Sequence, residues 1–146
     1  METIQKEAWM FCEKIGAVFI PLRKLKSLFV RDGISLIVKI SREEKKFWGV
    51  NDLLVNRDLR GKKYACVFLK TAQSGWFCVS DDFEAGKGKS WNQSTRDREY
   101  KINGCQLKKE WFFSDIDSFL KMFSRYAGQR DIIVRRSQRT SVFSKG

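Results

Sequence analysis

Two apolar runs joined by a short polar link, Tyr64-Ala-Cys-Val-Phe-Leu69 and Trp76-Phe-Cys-Val79 across Lys70-Thr-Ala-Gln-Ser-Gly75, constrain this chain more than any other feature. Neither run alternates apolar with polar residues. A strand with one wet face alternates, so continuous apolarity marks strands covered on both faces. The pair reads as an antiparallel hairpin at the centre of the fold, and the rest of the chain must supply a layer on each side of it.

The flanking segments offer candidates for those layers. From Thr3 to Ile15 the apolar residues Ile4, Ala8, Trp9, Phe11, Cys12 and Ile15 recur at spacings of three and four, the pattern of an amphipathic helix that Gly16 stops. Ala17–Ile20 reads as extended up to Pro21, and Leu22–Phe29 suits a short basic helix or an extended edge. Arg31-Asp32-Gly33 is a turn signal ahead of the β-branched strand Ile34–Ile40. Phe47–Val50 is apolar again, and Asn51–Val55 is expected to form one or two helical turns. Ser80-Asp81-Asp82-Phe83 is expected to cap a short helix, and Tyr100–Ile102 to form a short strand before the Asn103-Gly104 turn. Ser114-Asp-Ile-Asp117 has N-cap chemistry with acids in the first turn, leading into a helix through Phe119, Leu120, Met122 and Phe123 that Gly128 ends. Ile132–Val134 adds a possible strand. The expected fold class is α+β, a central mixed or antiparallel sheet with flanking helices. Its organisation is a single domain over residues 1–130 and a basic, flexible tail over 131–146.

Charge narrows the function classes. The chain carries 29 Lys plus Arg against 17 Asp plus Glu, a net +12 over 146 residues, and has no histidine. An excess of this size makes a polyanion, most simply nucleic acid, the first expected partner. The missing histidine excludes Ser-His-Asp and Cys-His nucleophile pairs and any histidine general base, leaving carboxylate, lysine, tyrosine or cysteine for catalysis. The positive charge decorates a globular chain, because 42% of the residues are hydrophobic. Cys12, Cys66, Cys78 and Cys105 lack zinc-ribbon spacing and are expected to be reduced core residues. No uncharged stretch is long enough to span a membrane, so a soluble, cytoplasmic protein without a membrane partner is expected.

Element order and spacing support a comparison. An N-terminal helix is followed by Leu36-Ile37-Val38-Lys39-Ile40-Ser41, by a charged loop with Phe47-Trp48-Gly49, and by the hairpin Tyr64–Leu69 and Trp76–Ser80. With Lys87-Gly-Lys-Ser-Trp91, Glu99-Tyr-Lys-Ile102 and Glu110-Trp111, this series resembles small members of the PD-(D/E)XK nuclease superfamily over roughly residues 3–123. The resemblance implies a restriction-endonuclease-like core, in which carboxylates hold Mg²⁺ and a lysine orients the attacking water. Lys39 matches that lysine. The acidic position before it is occupied by Ile37, which cannot ligate a hard cation. Asp32 is the nearest upstream acid, and Glu44 with Lys46 offers an alternative register. The resemblance therefore implies a degenerate copy that keeps binding and has lost hydrolysis, with no cofactor. An active, Mg²⁺-dependent endonuclease using Lys39, Asp32 and Glu44 is the enzymatic alternative.

For binding, Lys87, Lys89, Arg96, Arg98 and Lys101 surround Trp91 in a polar, glycine-containing segment. Such a loop can follow phosphates while the indole stacks on a base, a contact worth ~1–3 kcal/mol; the same tryptophan would equally suit a core position. Arg130, Arg135, Arg136 and Arg139 offer a second basic segment in the tail. The leading expectation is a nucleic-acid-binding protein, with duplex DNA preferred over RNA. A small inhibitor or subunit whose basic face meets an acidic protein partner is the third reading.

Overall fold

The computed structural model describes residues 3–41 and 47–128. Helix α1 (Thr3–Lys14) leads into strands β1 (Val18–Phe19), β2 (Leu28–Arg31) and β3 (Ile34–Ile40). After β4 (Phe47–Asn51), a π-helical turn (Leu54–Asp58) precedes β5 (Tyr64–Leu69) and β6 (Gly75–Val79). Helix α2 (Ser80–Gly86), β7 (Asn92–Ser94), β8 (Glu99–Asn103), β9 (Phe112–Phe113) and helix α3 (116–128) complete the described chain.

The α+β class is as expected, but the strands divide between two sheets. The larger runs β1-β2-β3-β5-β6-β9, and only its β3/β5 pair is parallel. Parallel neighbours require a crossover, and β4 with the π-helical turn provides it. The smaller sheet, β4-β8-β7, is antiparallel.

Strand β5 is buried along its whole length because each face of the large sheet is covered. Successive side chains point to opposite faces, and β5 divides accordingly. Ala65, Val67 and Leu69 join Ala8, Phe11 and Cys12 of α1, Ile15 just after it, and Phe119 and Phe123 of α3. Tyr64, Cys66 and Phe68 join Trp48, Val50, Leu54 and Ile102 from the small sheet and the crossover. The opening hairpin thus has helices on one side and strands on the other.

Local chemistry sets several boundaries. Asp32 and Gly33 have φ of 51° and 77°, as a two-residue hairpin between β2 and β3 requires. Asp115 caps α3, its Oδ1 accepting the Ser118 N–H at 2.7 Å, and these bonds hold its carboxyl below the usual range. Asp81 and Asp82 do not cap α2. They lie in its first turn, while Val79 occupies the cap position without a side-chain bond. Cys12, Cys66 and Cys78 are buried as expected; Cys105 is exposed on the 3-10 turn Gly104–Gln106. Residues 129–146, including Ile132–Val134 and the expected tail, lie outside the described residues. Among the described residues no helix is long and apolar enough to cross a membrane.

Candidate nucleic-acid interface

The segment from Lys87 to Lys101 is built into the fold. Trp91 is 6% exposed; its indole stacks on Phe83 at 5.7 Å and donates from Nε1 to the Phe83 carbonyl at 2.8 Å. The ring lies against Gly86, where any Cβ would collide with the indole. Trp91 therefore has no face to offer a base, which corrects its reading as a stacking platform. The surrounding polar residues do not signal this burial because its partners, Phe83 and Gly86, lie upstream in the expected helix.

Most cations of this segment are engaged as well. Lys87 Nζ meets Glu84 at 2.7 Å and donates to Asn56 Oδ1 at 2.7 Å. Lys101 pairs with Asp97 at 3.0 Å, holding that carboxyl below its ordinary range, and lies over the Phe47 ring. Arg98 Nε is 3.8 Å from Asp52. Lys89 and Arg96 are exposed and make no ion pair among the described residues.

Of the nuclease constellation, Asp32 and Lys39 are not brought together. Asp32 sits in the hairpin before β3 and pairs with Arg31 at 2.9 Å. Lys39 is half-buried near the other end of the same strand, in register with Phe68. At about 3.3 Å per residue the two lie roughly 23 Å apart along the strand, far beyond a shared metal. Ile37, two positions before Lys39, is fully buried in the core. Glu44, Arg130, Arg135, Arg136 and Arg139 lie outside the described residues. Among the described residues no three Cys, Asp or Glu side chains converge as metal ligands.

A cationic turn absent from the sequence expectations stands out instead. After the π-helical turn, the Leu59 N–H donates to the Leu54 carbonyl at 2.8 Å and the Lys62 N–H to the Leu59 carbonyl at 3.0 Å. This closes a tight turn with Gly61 at φ 74°, a conformation that favours glycine. Leu59 anchors the turn in the core, and Arg60, Lys62 and Lys63 are exposed and without an ion pair among the described residues, Lys63 Nζ lying over the Tyr126 ring at 5.9 Å. Neighbouring Arg23 and Arg57 are instead occupied by Asp58, at 2.5 and 3.5 Å. Four cations between positions 57 and 63 around one glycine are the sequence signal that marks this turn.

The turn lines a cleft of about 390 Å³ together with Tyr64 and with Ser80, Asp81 and Glu84 of α2. A polar chain fixes the α2 part of that lining. The Tyr64 hydroxyl donates to Glu84, Lys87 bridges Glu84 to Asn56, and Asn56 Nδ2 donates to the Tyr100 hydroxyl at 2.9 Å. Burial pushes the Tyr64 phenol far above its usual range, so it remains a donor rather than a base. Burial likewise raises the Cys66 and Cys78 thiols, keeping them protonated and poor nucleophiles. Neither a comparison with protein-family models nor one with curated protein sequences finds a match for this chain.

Proposed function

We propose that the protein binds nucleic acid through phosphate contacts, with duplex DNA preferred, and that the Arg60–Lys63 turn is its principal contact among the described residues. The observation that carries this reading is three unpaired, exposed cations on one glycine turn in a chain of net charge +12. Unpaired cations matter because only charges not already neutralised release counterions from a phosphate backbone. The preference for a duplex rests on the burial of Trp91, Tyr64 and Tyr100 and on the half-burial of Tyr126, whose ring lies under Lys63 Nζ at 5.9 Å. Single-strand binders need open rings for stacking; a backbone reader does not.

The test is fluorescence anisotropy with a dumbbell DNA duplex, which has no free ends, across a salt series. If about six cations reach phosphates, the slope of log K against log salt is roughly −5. Binding that is absent, or that does not weaken with salt, contradicts the reading.

A further inference from the structure

The lining of the cleft carries both signs of charge, and a polymer backbone satisfies only one of them. Arg60, Lys62 and Lys63 come from the turn, Asp81 and Glu84 from α2. A strand threaded between them would set successive phosphates against a carboxylate, which like-charge repulsion disfavours. The cleft suits a dipolar ligand, with an anion at one end and hydrogen-bond donors at the other.

We propose that this cleft binds a nucleoside phosphomonoester, its phosphate held by Arg60, Lys62 and Lys63 and its sugar hydroxyls donating to Asp81. The anion is a phosphomonoester because three cations within four residues match a group bearing about −1.5 to −2 charges and three terminal oxygens; a carboxylate would leave the turn under-neutralised. The acceptor is Asp81 because it is exposed and makes no ion pair or side-chain hydrogen bond among the described residues. Glu84 is already held by Tyr64 and Lys87, which keep α2 in place. A volume of about 390 Å³ lies within the roughly 300–1,000 Å³ typical of small-ligand clefts. The same chemistry is presented by a free ribonucleotide and by the 5′-phosphorylated end of an RNA strand, whose first ribose keeps its 2′-hydroxyl. This inference shares the cationic turn with the interface proposed above but does not require internal phosphates.

Calorimetric titration of the full chain with adenosine 5′-monophosphate, adenosine and inorganic phosphate tests it, alongside an RNA hairpin bearing either a 5′-phosphate or a 5′-hydroxyl. Adenosine should bind at least about tenfold more weakly than its monophosphate, and Asp81→Ala should weaken the monophosphate about tenfold without weakening inorganic phosphate. Binding of the phosphorylated hairpin alone, with the same dependence on Asp81, identifies a strand end as the source. Saturable binding of neither ligand overturns the inference. So does an Asp81→Ala variant that tightens every phosphate ligand equally, since Asp81 would then only repel. Dumbbell binding separates the two proposals: if it persists while these ligands fail, only the cleft assignment falls, and the reverse pattern removes only the duplex reading.

Discussion

The two faces of the large sheet are filled by different means. On the helix-covered face, Phe11, Phe77, Phe113, Phe119 and Phe123 pack ring against ring, with centroids 5.0–6.4 Å apart. Volume and edge-to-face geometry decide that side. On the strand-covered face, three of the larger rings use polar handles to bond their neighbours. Trp48 donates to the Leu69 carbonyl, Trp91 to the Phe83 carbonyl and Tyr64 to Glu84. Directional bonds fix the elements of that face relative to one another, including the turn and helix that line the cleft. Packing dominates one face and directional bonds the other; Tyr126, packed with the helix-covered core, is the exception, its hydroxyl donating to the Tyr64 carbonyl at 3.3 Å.

The largest test of this contrast is Phe119→Ala. Phe119 is fully buried and touches Phe11, Phe77, Phe113 and Phe123, so its loss should cost about 3–5 kcal/mol in denaturant unfolding. Where the variant stays folded, affinity for dumbbell DNA should be unchanged. A binding loss as large as the stability loss would mean that the helix-covered face also shapes the site.

Gly86→Ala probes the other face. The added Cβ collides with the Trp91 indole and must displace it from Phe83, at a cost of about 1–3 kcal/mol. The near-ultraviolet circular dichroism of the tryptophans should change in the folded variant. An unaltered spectrum would show that the indole bond does not hold this face.

Thiol titration compares the faces through pH. Burial raises Cys12 on the helix-covered side and Cys66 and Cys78 on the strand-covered side. Their folded pKa values exceed the unfolded one, so the folded state retains protons that the unfolded chain releases above about pH 8.5. Stability is intact below that pH and falls as pH rises, by up to about 1.4 kcal/mol per pH unit per thiol. Replacing Cys66 and Cys78 with Ala should remove about twice as much of this alkaline slope as Cys12→Ala, in proportion to the thiols removed. Equal effects would contradict the burial of one of the pair.

The smallest effect is expected at the rim. Arg23→Ala breaks the pair with Asp58 and should shift the denaturant midpoint less than any variant above, as exposed pairs contribute little. Arg23 holds Asp58 below its usual range, so this contribution is present above the unfolded carboxylate pKa and is lost as pH falls through the folded value. Acid unfolding of the two proteins should therefore converge at low pH.

Residues whose environment is local were legible in the sequence. The β-branched run Ile34–Ile40, the Asp32-Gly33 turn, the apolar β5 and the amphipathic α1 each carry their own periodicity or turn chemistry. Trp91 was not legible, because its burial depends on the space that Gly86 leaves rather than on its polar neighbours. The division into two sheets was hidden for a related reason: β4 and β8 pair across some fifty residues, and each is short. Net charge pointed to a polyanion but not to a place. Which cations are free depends on where Asp52, Asp58, Glu84 and Asp97 come to rest, and that is a tertiary outcome.

The most direct test of the central claim is the salt dependence of dumbbell DNA binding by a variant carrying Arg60→Glu, Lys62→Glu and Lys63→Glu. If these three side chains meet phosphates, the slope of log K against log salt should become shallower by roughly 3, from about −5 towards −2, because each lost contact removes about 0.9. Reversing the paired Lys87, Arg98 and Lys101 should change the slope less. An unchanged slope in the turn variant would contradict the assignment of the interface to the Arg60–Lys63 turn.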